Sequence, residues 1–293
     1  MKSSLIERVE LSLRDTNYSP WLPDLTAELV KAIWQDLHVN LKLSPETYGT
    51  ARTMARDARA PRRIVARLSV ASGDESPEKM LQVETLDAEF MRVYEDAGVR
   101  FYSADEINTA HVLEQLEEAV KVLKLVPTLL ITVAALVRSV HVLDPINDDY
   151  DVSFSEPHIP FSIFISVPRA GDVISALRVA EAIVHEAMHL QLTLTEQVVP
   201  LVHTRSLQHY SPWRGEFRSA QGVLHGLYVF SVIDAFFCVL QSLPVWDLNS
   251  VGYINRRRSE IHSQVGRIRS FQDSDDLTET GRAFARRMMS GFE

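Results

Sequence analysis

The chain has 293 residues but one cysteine, Cys238. No disulfide can form within it, so a fold held by disulfide staples is excluded and a reducing compartment fits. Positive charge is also in short supply: 30 Lys and Arg face 39 Asp and Glu, a net charge of -9. Counterion release from a polyanion needs clustered cations, which excludes a general nucleic-acid binder. No solenoid-length repeat and no low-complexity tract is present. The start, Met1-Lys2-Ser3-Ser4-Leu5-Ile6-Glu7-Arg8, is broken by charge too early for the apolar core of a secretory signal. Two inner stretches come closest to a membrane span. Residues 125–137 are too short and carry Pro127, and residues 226–243 contain Asp234 and Gln241 just after His225. Both read as buried helices, and the expectation is a soluble, cytoplasmic chain that touches neither membrane nor nucleic acid.

What is present is an ordinary globular composition, 46% hydrophobic and 24% charged. That is enough to bury a core as one large domain or two closely packed ones. Apolar spacing predicts a helix over Thr26–Leu37, and Ser44-Pro45-Glu46 reads as a helix start. Gly73–Pro77 reads as a loop. Ser103 and Glu106 have capping-box spacing ahead of a helix reaching Lys124. A more apolar helix follows over 127–142, ended by Asp144-Pro145, with a polar turn at Asn147-Asp148-Asp149. Phe161–Val167 reads as a strand, Val173–Val198 as a long helix, 209–215 as a loop and Gln221–Leu243 as a second apolar helix. Arg-rich helices over Asn255–Ser270 and Leu277–Met289 close the chain. The expected fold is mainly α with a small β element. A helical N-terminal region, 1–145, would pack on a helical metal-binding region, 146–293, with no linker between them.

The chemistry sits in His185-Glu186-Ala187-Met188-His189, an H-E-x-x-H motif. Two histidines four residues apart lie one turn apart on one helix face, so both imidazoles can reach one ion, with the glutamate beside them. With 10 histidines in the chain, the pattern arises by chance only ~0.02 times per sequence. Ala182, Ile183, Val184, Leu190 and Leu192 make the other faces apolar, so the pair is expected to point into the interior. A plain buried helix would leave two imidazoles and a carboxylate to be satisfied without a metal, which is costly.

The third ligand decides the reaction. The metzincin continuation fails, because Leu192 and Thr195 stand where it needs Gly and His. Glu216 is the gluzincin-type candidate. His225, in Gly222-Val223-Leu224-His225-Gly226, is the other and is preferred, because its polar ring on an apolar helix needs a partner. Arg214 and Arg218, in Ser211-Pro212-Trp213-Arg214-Gly215-Glu216-Phe217-Arg218, can clamp a carboxylate with paired donors. The same stretch equally suits a surface loop with Arg214 stacked on Trp213. Glu181, one turn before His185, is either an orienting group behind the ligands or an exposed helix residue. Cys238 reads as inert packing and Arg256-Arg257-Arg258 as a solvated face.

His185-Glu186-x-x-His189, taken with Ser-Pro-Trp-Arg at 211–214, Arg218 and Gly-Val-Leu-His-Gly at 222–226, resembles the HExxH-motif peptide-modification proteins of ribosomal peptide natural-product clusters. Members are described as iron(II)- and 2-oxoglutarate-dependent peptide β-hydroxylases. The likeness covers residues 152–243, about a third of the chain, and the family's common Arg-Pro stands here as Arg218-Ser219. It implies that His185, His189 and His225 bind iron, that Arg214 or Arg218 holds 2-oxoglutarate, and that the substrate is a peptide, such as a ribosomally made precursor. In that scheme Glu186 orients a ligand or a water. The rival reading is a zinc peptidase, in which metal-bound water loses a proton to Glu186 and attacks an amide carbonyl. A third is a helical peptide-binding module with a structural metal or none.

Overall fold

The computed structural model describes residues 2–15, 19–39, 63–70, 80–86, 88–96, 98–109, 111–145, 152–155, 161–169, 171–203 and 208–292. The expected helix start at 44–46, the loop at 73–77 and the turn at 147–149 lie outside them. The chain divides into two compact units, Val30–Leu190 and Met1–Leu29 with Gln191–Glu293. The division expected at 145/146 therefore falls elsewhere. Residue 145 lies within Val30–Leu190, in the connection between strands of one five-stranded sheet.

Val30–Leu190 is built on that sheet. Its strands are β1 (Arg63–Ser69), β2 (Met80–Thr85), β3 (Ser139–Leu143), β4 (Ser153–Ser155) and β5 (Ser162–Ser166), in the order β1-β2-β3-β5-β4. The pairs β2/β3 and β3/β5 are parallel, whereas β1/β2 and β4/β5 are antiparallel. Every residue of β3 and β5 is buried, as central parallel strands with both faces covered should be. The strand expected at 161–167 is thus present. The helix expected over 127–142 is not continuous: α6 (Pro127–Leu136) ends and β3 follows. An apolar run buried on all sides has no periodicity to separate helix from central strand, and pairing with two neighbours decides for strand.

The remaining helices of this unit are α3 (Ala88–Glu95), α4 (Ala104–Thr109) and α5 (Val112–Lys124). The capping box forms as expected: Glu106 Oε2 accepts from the Ser103 amide and hydroxyl at 2.9 and 2.8 Å, and Ser103 Oγ accepts from the Glu106 amide at 3.2 Å. The single helix expected from it is broken at His111, whose φ of 54° is left-handed and cannot continue a helix. Beyond the break, α5 buries Val112, Leu116, Ala119, Val120 and Leu123, a single stripe at helical spacing.

The second unit holds α1 (Lys2–Arg14), the start of α2 (Pro23–Val39), a hairpin of β6 (Gln208–Ser211) and β7 (Glu216–Ser219), α8 (Ala220–Gln241), α9 (Leu248–Gly266), a 3-10 turn (Arg269–Asp273) and α10 (Glu279–Ser290). The long helix α7 (Val173–Glu196) contributes its last turn, from Gln191. Ser219, Asp247 and Thr278 cap α8, α9 and α10 by accepting a backbone amide three residues on. The core is the apolar surface of α8, including Val223, Leu227, Ile233, Phe236 and Phe237, all fully buried. Among the described residues α8 is the one helix long and apolar enough to cross a membrane, yet 67% of that window is buried within the protein. Its one charge, Asp234, is answered from α9 by Arg258 at 2.9 Å and His262 at 3.2 Å.

Candidate metal centre

Helix α7 starts at Asp172, whose Oδ1 accepts the amide and the hydroxyl of Ser175 at 2.8 and 3.1 Å. Its core side is Ile183, Val184, Ala187 and Met188, none of which reaches solvent. The histidines lie off that side. The rings of His185 and His189 stand 4.8 Å apart, centre to centre, at 63°. Two imidazoles bound ~2.1 Å from one ion at near right angles have ring centres about 4.5 to 5 Å apart, so the spacing is compatible with shared coordination. The side chain of His185 is 24% exposed and that of Glu186 only 3%. The interior position expected for the histidines belongs instead to the glutamate between them. Its Oε1 accepts the Ser153 hydroxyl from β4 at 2.7 Å and lies 3.8 Å from His185 Nε2.

In the other unit, the segment 208–219 is not the irregular loop expected over 209–215. Its strands pair from Gln208↔Ser219 to Ser211↔Glu216 around a four-residue turn. Gly215 closes that turn at φ 69°, which costs a residue without Cβ little. Trp213 leaves the turn and stacks on Phe230 of α8, ring centres 5.3 Å apart and 10° from parallel. Gly226 makes room for it, since a Cβ there would meet the indole at 2.6 Å. The stacking partner of Trp213 is thus Phe230, and Arg214 is exposed at the tip. Arg218 pairs in register with His209, lies beside Gly222 on the first turn of α8, and stands 3.9 Å from Glu216. Both arginines are therefore accessible for a carboxylate.

His225 and its neighbour Glu196 are both largely buried, 13% and 12% exposed. His225 Nε2 lies 2.9 Å from Glu196 Oε2, and the Gln221 amide donates to that same oxygen at 2.7 Å. Glu216, the alternative ligand, is exposed on β7. His185 and His189 belong to one unit and His225 to the other. Among the described residues no three His, Cys, Asp or Glu side chains are gathered as a metal-holding group.

Glu181 is buried rather than exposed. Cys238 is exposed on α8 and so is not core packing. The arginine run divides: Arg256 is solvated near Glu260, Arg257 lies over the Phe230 ring at 5.5 Å, and Arg258 serves Asp234. Sequence reasoning misses Ser153, Gln221 and Glu196. Glu196 carries a helical signal, seven residues beyond His189, and Gln221 one as well, four before His225. Ser153 carries none, because a strand 33 residues away leaves no local pattern. No protein-family model matches the chain, and no curated protein matches it.

Proposed function

We propose that the chain is an iron(II)- and 2-oxoglutarate-dependent oxygenase that hydroxylates a side-chain carbon of a peptide, as its resemblance to the HExxH peptide-modification proteins implies. His185, His189 and His225 would hold the iron, and Arg214 or Arg218 the far carboxylate of the co-substrate by paired donors. The substrate would be a peptide, such as a ribosomally made precursor. Bound iron would let dioxygen oxidise 2-oxoglutarate to succinate and carbon dioxide, one oxygen atom entering succinate and the other a substrate C–H bond as hydroxyl.

The observation that carries this reading over the zinc peptidase is the placement of Glu186. A hydrolytic base must meet the attacking water and the amide. Here the carboxylate is nearly sealed and accepts the Ser153 hydroxyl, while the two histidines beside it are the more open groups. This suits a glutamate that braces the helix turn and two imidazoles that act as neutral donors.

The test uses anaerobically purified protein loaded with Fe(II). Adding 2-oxoglutarate should produce a visible charge-transfer band and, with air, succinate; both should disappear in His225→Ala. Peptide cleavage with zinc alone and without oxygen would overturn the proposal in favour of the peptidase. A protein that retains no metal would be the binding module.

A further inference from the structure

We infer that the chain pairs with a second copy of itself through the outer edge of β7, as a reversible two-fold dimer. Among the described residues β7 pairs with β6 alone. Glu216, Phe217 and Arg218 are exposed in succession, so solvent reaches both faces of the strand. Alternate residues of a strand direct N–H and C=O to opposite sides, so half of β7 turns its backbone groups away from β6 toward an open edge. The apolar surface beside that edge is also uncovered. Phe217 is 68% exposed and meets Tyr210 across the hairpin, ring centres 5.9 Å apart and 67° from parallel. A hairpin of two strands is marginal alone, and added strands stabilise it.

The order of side chains decides what fits this edge. Glu216 and Arg218 share one face, 3.9 Å apart, with Phe217 between them on the other. Charges of a single sign would repel a second copy, a usual protection of an open edge. Here opposite signs flank a central aromatic, and the strand is its own complement. When β7 meets β7 antiparallel about a two-fold axis at Phe217, each Glu216 faces Arg218 of the second copy and Phe217 faces Phe217. Parallel pairing in register would instead set Glu216 on Glu216 and Arg218 on Arg218. The antiparallel arrangement joins the two hairpins into one four-stranded sheet, with both Tyr210–Phe217 pairs on one face. Four residues a side make a small contact, so the dissociation constant is roughly micromolar to millimolar. Of the two arginines proposed for the co-substrate, this pairing engages Arg218 and leaves Arg214.

Sedimentation equilibrium over about 10 μM to 1 mM protein tests the inference. The wild type should pass from monomer toward dimer across that range. A chain that stays monomeric throughout, whether its edge is bare or takes an unrelated extended peptide instead, overturns the inference. Glu216→Arg and Arg218→Glu each set like charges face to face, so each should weaken dimerisation about 10-fold or more. Mixed in equal amounts, the two variants should form a heterodimer about as tight as the wild-type dimer, because opposite charges again meet at both contacts. A dimer indifferent to both substitutions, or variants that do not associate when mixed, overturns the inference. Hydrogen exchange on the wild type reads the surface directly. Amides of residues 216–219 should exchange more slowly as concentration rises, and a dimer that leaves them unchanged also overturns the inference. That measurement decides even if a variant does not fold.

Discussion

The two histidine-bearing helix turns treat their carboxylates in opposite ways. On α7, Glu186 sits between the histidines in sequence but is drawn off by Ser153, leaving the rings of His185 and His189 as each other's neighbours. On α8, His225 is bound directly to a carboxylate, and its surroundings are packed by an indole against a glycine. The α7 turn sets two imidazole rings side by side. The α8 turn is arranged to hold one ring in one orientation. Spacing along a helix creates the first arrangement, whereas the second needs groups from three separate segments.

Breaking the α7 turn should have the largest effect. His185→Ala and His189→Ala are each expected to weaken Co(II) binding more than 100-fold, beyond the ~10- to 100-fold effect of a group behind a ligand. Retention of binding in both, seen by titration, would reduce that turn to ordinary helix. Next comes the packing behind His225. Gly226→Ala drives a methyl into Trp213 and should cost about 1 to 3 kcal/mol in urea unfolding. Gly252→Ala on α9, where a Cβ meets nothing within 4 Å, should instead stabilise by up to about 1 kcal/mol. Equal effects at the two glycines would remove the close approach as the cause.

A smaller change is expected at Tyr228, whose buried hydroxyl donates to Gln191 and lies 3.3 Å from the Pro20 carbonyl. Tyr228→Phe should cost about 1 to 2 kcal/mol at neutral pH. Burial pushes the Tyr228 phenol above its ordinary value of 10. The unfolded chain then loses this proton near pH 10 while the folded one keeps it, so stability falls as pH rises beyond that point. The alkaline limb of the wild-type stability curve should be steeper than that of Tyr228→Phe. The smallest effect is expected from Glu186→Gln. The amide still accepts from Ser153, so Co(II) affinity and succinate yield should stay within about tenfold, whereas a peptidase deprived of its base loses ~10²- to 10⁴-fold.

Where structure is made by near neighbours, the sequence is readable. The capping box at Ser103, the strand ending at Ser166 and the long metal-motif helix all stand where local patterns place them. Mainly α with a small sheet is the architecture found. Legibility fails where distant partners decide. Residues 139–143 become strand only because β2 and β5 flank them. The hairpin at 208–219 is too short for alternation to register, and its Trp213 finds Phe230 through tertiary packing. Helical spacing finds the histidine pair but not its exposure, because the wheel alone does not say that Ser153 draws Glu186 inward.

The apolar helix that forms the heart of one unit has a consequence for how the protein is made. Asp234 obtains its counter-charge from Arg258 and a further contact from His262, both synthesised after it. Until α9 has been made, the acid on this apolar helix lacks the guanidinium that answers it in the folded unit, and exposed apolar surface of this kind is what makes incomplete chains prone to aggregate.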